Sequence, residues 1–226
     1  VVLSAGPDLV EPGQPLKNAS DEYETNSWLL TTAVREVGAV AYRVHSIPDD
    51  EAQLQKVIED QLVRADLIII SGERNDDSFD LISRTLAGLG AITTVDLAIE
   101  ASGRHNFGTI GPDKTPVVTL PGDPISAYIS FELFVRPMIR TMLGAATIHR
   151  PSVKAALEKP IESAPGMRSY IRGILADDGK SVTPLANQDE QSTLSDANAF
   201  IAISETETAL KTGDQVTVVV LERRYI

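Results

Sequence analysis

The stretch Thr115–Ala127, Thr-Pro-Val-Val-Thr-Leu-Pro-Gly-Asp-Pro-Ile-Ser-Ala, leaves this chain few ways to fold. Val117, Val118 and Leu120 form an apolar, β-branched run of strand length, and Pro121-Gly122 is turn chemistry that reverses the chain or brings its backbone close to a ligand. Asp123 then reads as an N-cap, with Pro124 at the first helical position, where a missing N–H costs nothing. Ile125, Ile129, Leu133 and Met138 carry a helical stripe to about Leu143. A helix N-terminus standing above a strand's carboxyl end stabilises an anion through unpaired N–H groups and the helix dipole. The same residues also make an ordinary capped helix in an α/β sheet.

The flanking sequence repeats the alternation. Val1–Ser4 reads as a strand and Asn26–Val37 as a helix, with Gly38 at its C-terminal cap; Ala39–His45 returns as a strand. Asp49 or Asp50 caps a second helix with Leu54, Val57, Ile58 and Leu62 turned inward. Asp66–Ser71 is a continuous apolar strand of the kind covered on both faces, and Ser78–Leu89 supplies a third helix. Strands and helices at this spacing are βαβ units, so residues 1–146 are expected to form a three-layer α/β domain with a mostly parallel sheet. From Gly144–Pro151 onward the helical spacing stops. Val153–Leu157, Ser169–Leu175, Val182–Leu185, Phe200–Ser204 and Val216–Leu221 are short alternating segments separated by turns, which predicts a small all-β, barrel-like domain over 147–226 without helices.

Composition removes several functions. The chain has no cysteine, which excludes disulfides, thiolate metal sites and cysteine nucleophiles. A net charge of −12 argues against nucleic acid, because phosphate neutralisation needs clustered Lys and Arg. A polyanionic ligand would need local donors or a metal. No apolar run approaches the roughly 18 residues of a membrane span and no leader pattern is present, so a cytoplasmic protein is expected. The start at Val1-Val2-Leu3, without methionine or a polar lead-in, reads as a fragment of a longer protein. His45, His105 and His149 are scattered, with only His105 near the turn at Pro121-Gly122.

Leu120-Pro121-Gly122-Asp123-Pro124-Ile125-Ser126-Ala127 resembles the Leu-Pro-Gly-Asn-Pro-Val-Ser-Ala signature of the MoeA and gephyrin E-domain family, the molybdopterin molybdenumtransferases. Ser4-Ala5-Gly6-Pro7-Asp8-Leu9 is similar to its Ser-Thr-Gly-Asp-Glu-Leu, Glu22–Ser27 to its Ile-Tyr-Asp-Ser-Asn-Ser, and Asp49-Asp50 to its paired aspartates. Ile70-Ser71-Gly72 opens a loop that in the family ends in an aspartate, here Asp80. Gly166–Arg172 and Ala197–Phe200 resemble motifs of the family's C-terminal domain. The resemblance covers essentially the whole chain and implies a MogA-like α/β domain followed by a β-barrel, without the two domains that precede them in the family. It implies insertion of molybdate into adenylylated molybdopterin, assisted by Mg2+. Carried over residue by residue, Asp8, Glu24 and Asp80 are the catalytic candidates, and Glu24 and Asp80 the magnesium ligands. Asn26, Ser71, Gly72, Arg104, Pro121, Gly122, Asp123, Pro124 and Ser126 are the candidates for holding the pterin. The resemblance also implies a homodimer and, on the gephyrin side, a protein partner. Taken singly, Glu24 also reads as an exposed first-turn carboxylate, Asn26 as an N-cap and Asp80 as a helix-start acid favoured by the dipole.

Three departures move charge against a phosphorylated ligand. Where the family has Gly-Gly-Val-Ser-Val-Gly, this chain has Gly72 followed by Glu73-Arg74-Asn75-Asp76-Asp77; where it has Lys-Pro-Gly-Lys, Glu100-Ala101-Ser102-Gly103 stands, leaving Arg104 and His105 as the nearest cations; and Asn becomes Asp123. The three loops, Ser71–Asp80, Glu100–His105 and Leu120–Ser126, are expected to share one crevice. Two functions stay open: the family enzyme, or a divergent homologue that keeps the fold as a protein-binding scaffold.

Overall fold

The computed structural model describes residues 1–45, 48, 50–72, 75–100 and 102–221. It divides into two compact units, Val1–Leu97 with Arg104–Ala145, and Ala98–Gly103 with the chain from Ala146 onward.

The first unit runs β1 (Val2–Ser4), β2 (Leu9–Val10), β3 (Glu22–Tyr23), α1 (Asn26–Val37), α2 (Glu51–Leu62), β4 (Ile68–Ser71), α3 (Asp76–Leu89), β5 (Gly90–Asp96), β6 (Arg104–Ile110), β7 (Thr115–Leu120), α4 (Pro124–Ser130) and, after a π-helical turn at Phe131–Val135, α5 (Arg136–Met142). Among the described residues, five strands form one sheet in the order β1-β4-β7-β6-β5, with β1, β4 and β7 parallel and β6 and β5 antiparallel. The alternation within the strands sorts the layers. Val2, Ile69 and Val118 stand in register and pack with α1, α4 and α5, whereas Leu3, Ile68, Ile70 and Val117 pack with α2 and α3. Burying each such side chain contributes about 1.5–3 kcal/mol, which is why the isoleucine run of β4 cannot be moved to an exposed position.

One expectation needs correction, and two features were not anticipated. Ala39–His45 does not form a strand: it contributes one parallel bridge, Val2 to Arg43, flanked by Val2 N–H to Tyr42 O and Val44 N–H to Val2 O, both 2.9 Å. Val40 and Tyr42 are exposed while Ala41 is buried and Ala39 packs beside it, so the segment buries one face of small side chains and is held to β1 by that single bridge. The hairpin of β5 and β6 was not expected, and pairs from Gly90–Ile110 to Asp96–Arg104. The helix after Pro124 runs unbroken to Met142, close to the expected end near Leu143, but it is not α-helical throughout. Pro137 lacks the N–H that an α-helix would use, and just before it the ladder widens so that Arg136 N–H reaches Phe131 O. At the other helix ends the local chemistry is ordinary: Asp50 caps α2 through Gln53 N–H, and Gly38 ends α1 at φ +104°, a left-handed conformation that glycine adopts without cost. Asp49, the other residue weighed for that cap, lies outside the described residues.

The second unit runs β8 (Ser152–Leu157), β9 (Ile161–Glu162), β10 (Ser169–Leu175), β11 (Ser181–Pro184), α6 (Thr193–Asp196), β12 (Ala199–Ile203), β13 (Ala209–Leu210) and β14 (Gln215–Val220). A closed barrel forms in the order β10-β11-β8-β14-β12. Val216, Val218 and Val220 alternate into its core with Leu157, Leu175, Val182, Ile201 and Ile203. The turn α6 was not expected, because four residues are too few to show a period. Two side-chain amides complete the backbone ladder. Asn198 accepts from Leu175 N–H at 2.7 Å and donates to Leu175 O at 3.0 Å; Gln188 accepts from Arg172 N–H and donates to Arg172 O, each at 3.0 Å.

Candidate functional site

Register fixes where the candidates meet. Ser4 pairs with Ser71 and Ser71 with Leu120, so the carboxyl ends of β1, β4 and β7 lie in one row. From β1 the chain crosses outward to the Arg43 bridge and returns to β4 on the opposite side, which makes the gap between β1 and β4 a topological switch point. At that gap the Ser4 and Ser71 hydroxyls are 2.9 Å apart. Ser4 donates to Glu24 Oε1 at 2.7 Å, so the proton between the two serines comes from Ser71.

Glu24, a catalytic and magnesium candidate from the resemblance, is 1% exposed, which rules out its alternative reading as an exposed first-turn carboxylate. Its Oε1 also accepts the N–H of Ser27 at 2.7 Å and its Oε2 the Ser27 hydroxyl at 2.5 Å, with Arg43 Nη2 at 3.6 Å. Thr25, the residue preceding α1, makes no side-chain cap, so Glu24 does that work from one position earlier. Arg43 in turn grips Glu11 Oε1 at 2.7 Å, donates to Ser27 Oγ at 2.7 Å and lies over the Trp28 ring at 4.1 Å. Ser4, Ser27 and Arg43 therefore belong to this centre. The motifs at Ser4–Leu9 and Glu22–Ser27 contained the two serines; nothing local in the sequence marked Arg43.

Asn26 opens α1 and donates from Nδ2 to Gly122 O at 2.7 Å, tying that helix to the Pro121-Gly122 turn; its buried Oδ1 has no hydrogen-bond partner among the described residues. Asp123 caps α4, accepting from Ser126 N–H at 2.9 Å and Ser126 Oγ at 2.8 Å. The negative charge favoured at that helix N-terminus is thus supplied by the chain itself. Pro124 is its first residue, as expected. Gly72 cannot carry a side chain in this geometry, because a Cβ would stand 2.5 Å from Ser78 Oγ. Asp8 lies in the turn after β1 and accepts from Ser20 Oγ at 3.0 Å. Glu73 and Arg74 lie outside the described residues.

The antiparallel register of β6 on β7 carries Arg104 level with Pro121, at the same end of the sheet. Its guanidinium is already engaged, with Nη2 2.5 Å from Asp76 and Nη1 3.6 Å from Asp80. His105 is no cationic replacement. It is fully buried, stacks on Phe107 and meets Phe134 edge-on, and its Nδ1 donates to Thr119 O at 2.9 Å. Desolvation pushes its pKa below the ordinary 6.5 despite that hydrogen bond. The folded state therefore holds a neutral ring, and unfolding takes up a proton below pH 6.5. Stability from this residue is complete above 6.5 and declines as pH falls from there. His105→Phe is expected to lose less stability than wild type between about pH 7 and pH 5, read from urea midpoints; equal losses would contradict the buried neutral ring. Glu100, in the second unit, accepts from Ser169, beside a parallel bridge from Ile99 to Arg168. Among the described residues no group of three His, Cys, Asp or Glu side chains is placed to hold a metal, and no helix is long and apolar enough to cross a membrane.

A three-layer α/β unit whose candidates gather at the carboxyl ends of its parallel strands defines a class of open-sheet domains that take a small ligand at that edge. Residues 1–141 match the family described as probable molybdopterin binding domain and residues 154–221 the MoeA C-terminal region (domain IV), and the chain belongs to this family. It is 31% identical to molybdopterin molybdenumtransferase 1 of Mycobacterium tuberculosis, covering 97% of this chain and 54% of that protein. Against molybdopterin molybdenumtransferase 2 of the same organism it is 32% identical, over 96% of this chain and 55% of the relative. The crystal structure of the molybdopterin biosynthesis MoeA protein from Pyrococcus horikosii superposes with a TM-score of 0.82 at 27% identity, over 98% of this chain and 54% of that one. The chain thus spans about half the length of the curated relatives it matches.

Proposed function

We propose that the α/β unit binds a phosphorylated pterin of the molybdopterin class at the carboxyl edge of β1, β4 and β7. In the longer cytoplasmic, homodimeric protein it would serve the insertion of molybdate into adenylylated molybdopterin. The observation that carries this reading is the link from Asn26 Nδ2 to Gly122 O, which fixes the Pro121-Gly122 turn beside the Ser4–Ser71 switch point. In this reading the turn, Ser71-Gly72 and Ser126 orient the ligand, and the buried Oδ1 of Asn26 takes a donor from the ligand or a water. Mg2+ would supply positive charge against the ligand's phosphates. It is usually held by one or two carboxylates plus substrate phosphates, keeping several waters, so the half-exposed Asp80 fits this role beside the ligand. Glu24 does not fit, because protein donors already take both its oxygens. Its place is structural.

A second reading, a scaffold that binds a protein partner and no longer turns over the pterin, draws support from Arg104, whose charge two aspartates already neutralise. Calorimetric titration with adenylylated molybdopterin separates the two. The first reading expects binding that weakens at least about tenfold when Mg2+ is chelated, and that Glu73→Gly with Asp123→Asn strengthens. Tight binding with chelator present would overturn the magnesium requirement. No binding with Mg2+ present would leave the scaffold reading.

A further inference from the structure

Arg104 sits on a three-residue seat. Its guanidinium lies 4.3 Å from the centre of the Phe79 ring, with Asp76 at 2.5 Å and Asp80 at 3.6 Å. Asp76, Phe79 and Asp80 are i, i+3 and i+4 on α3 and share one face. The side chain of Asp76 is 90% exposed and that of Arg104 39% exposed, so this is a solvated pair of the kind that adds little to stability. Its consequence lies in binding. With Nη2 given to Asp76 and Nη1 facing Asp80, a phosphate that takes two N–H donors from this guanidinium competes with those carboxylates for its donors and its charge.

We propose that Asp76 is an internal competitor for the ligand's anionic group, and that this contact, rather than the general acidity of the α3 turn, sets the affinity of the edge for phosphate esters. The inference rests on the reading that the edge takes a phosphorylated ligand. Binding proceeds by exchange: the phosphate takes the place of Asp76 on Nη2, and the Asp76 carboxylate turns to water, with no covalent change. Exposure makes that release inexpensive, since Asp76 gives up no buried contact. Phe79 keeps the guanidinium aimed throughout by holding its flat face.

Asp77 provides the control. It stands one residue on, in the same first turn, and among the described residues forms no ion pair with Arg104. Asp76→Asn and Asp77→Asn change the net charge equally, so general electrostatics predicts equal effects from both. The test is calorimetric titration of the chain with inorganic pyrophosphate, with chelator present and about 50 mM salt to limit screening. Asp76→Asn is expected to bind about fivefold more tightly than wild type, Asp77→Asn within about twofold of it, and Asp76→Asn with Arg104→Gln to lose the gain. Equal tightening by both single variants, or affinity for Asp76→Asn equal to wild type, overturns the proposal while leaving an anion-binding edge. Absence of pyrophosphate binding in every variant, with chelator and again with Mg2+ in its place, removes the anion-binding reading, and the proposal with it; binding that appears only with Mg2+ and is equal in wild type and Asp76→Asn overturns the proposal alone. Circular dichroism of each variant confirms that the fold is retained.

Discussion

Glu24→Ala is expected to lower the unfolding free energy of the α/β unit by about 3–5 kcal/mol, the range for removing one partner from a buried charge network. The Ser4 hydroxyl, the Ser27 N–H and the Ser27 hydroxyl would all lose their acceptor in a site closed to water. Arg43 would keep Glu11 but lose its buried counter-charge. Glu24→Gln retains an acceptor oxygen and removes only the charge, so it should cost about 1–2 kcal/mol. Denaturant midpoints for the two variants check the ordering. A loss under about 1 kcal/mol for the alanine variant would mean that the carboxylate is not committed to the fold, and would return Glu24 to the set of residues available to a metal or substrate.

The barrel carries the second large effect. Asn198→Ala removes both hydrogen bonds to the Leu175 peptide, leaving a buried N–H and C=O unpaired beside a residue that is itself 2% exposed. The expected loss is about 2–4 kcal/mol for the second unit. Asn198→Asp should rescue little, because it restores the acceptor for Leu175 N–H but sets a carboxylate oxygen against Leu175 O. Hydrogen exchange at the Leu175 amide measures this within the barrel, without assuming that the two units unfold together. Protection unchanged in the alanine variant would show that the ladder does not need the side-chain amide. The Ala197–Phe200 motif, met first as a family resemblance, is on this geometry a piece of barrel construction.

The parts of the fold visible in the sequence are those where one physical demand acts alone. Ile68–Ser71 had to be buried on both faces, Pro124 could stand only at a helix start, and Val216, Val218 and Val220 alternate because the barrel has one dry side. The β5–β6 hairpin escaped because β5 is exposed or only partly buried along its whole length, which erases the alternation that announces a strand. His105 misled for a related reason: a histidine beside an arginine reads as surface charge, and only the pairing of β6 with β7 turns it under Phe107 and Phe134. At the candidate site the sequence supplied Asn26, Ser71, Gly122 and Asp123, which lie next to recognisable turns. It could not supply Arg43, whose importance comes from five partners scattered along the chain, Glu11, Glu24, Ser27, Trp28 and His45, nor the pairing of Asp76 with Arg104 across 28 residues.

Trp28 is the single tryptophan of the chain, and the guanidinium that lies over its ring belongs to the residue that also grips Glu11 and Ser27 and faces Glu24. A cation resting on an indole face interacts with its π electrons. The protein therefore carries an optical gauge at its own switch point: displacement of Arg43, by ligand, by substitution or by the first fraying of α1, changes the surroundings of the one indole that contributes to the emission, and no label has to be attached to observe it.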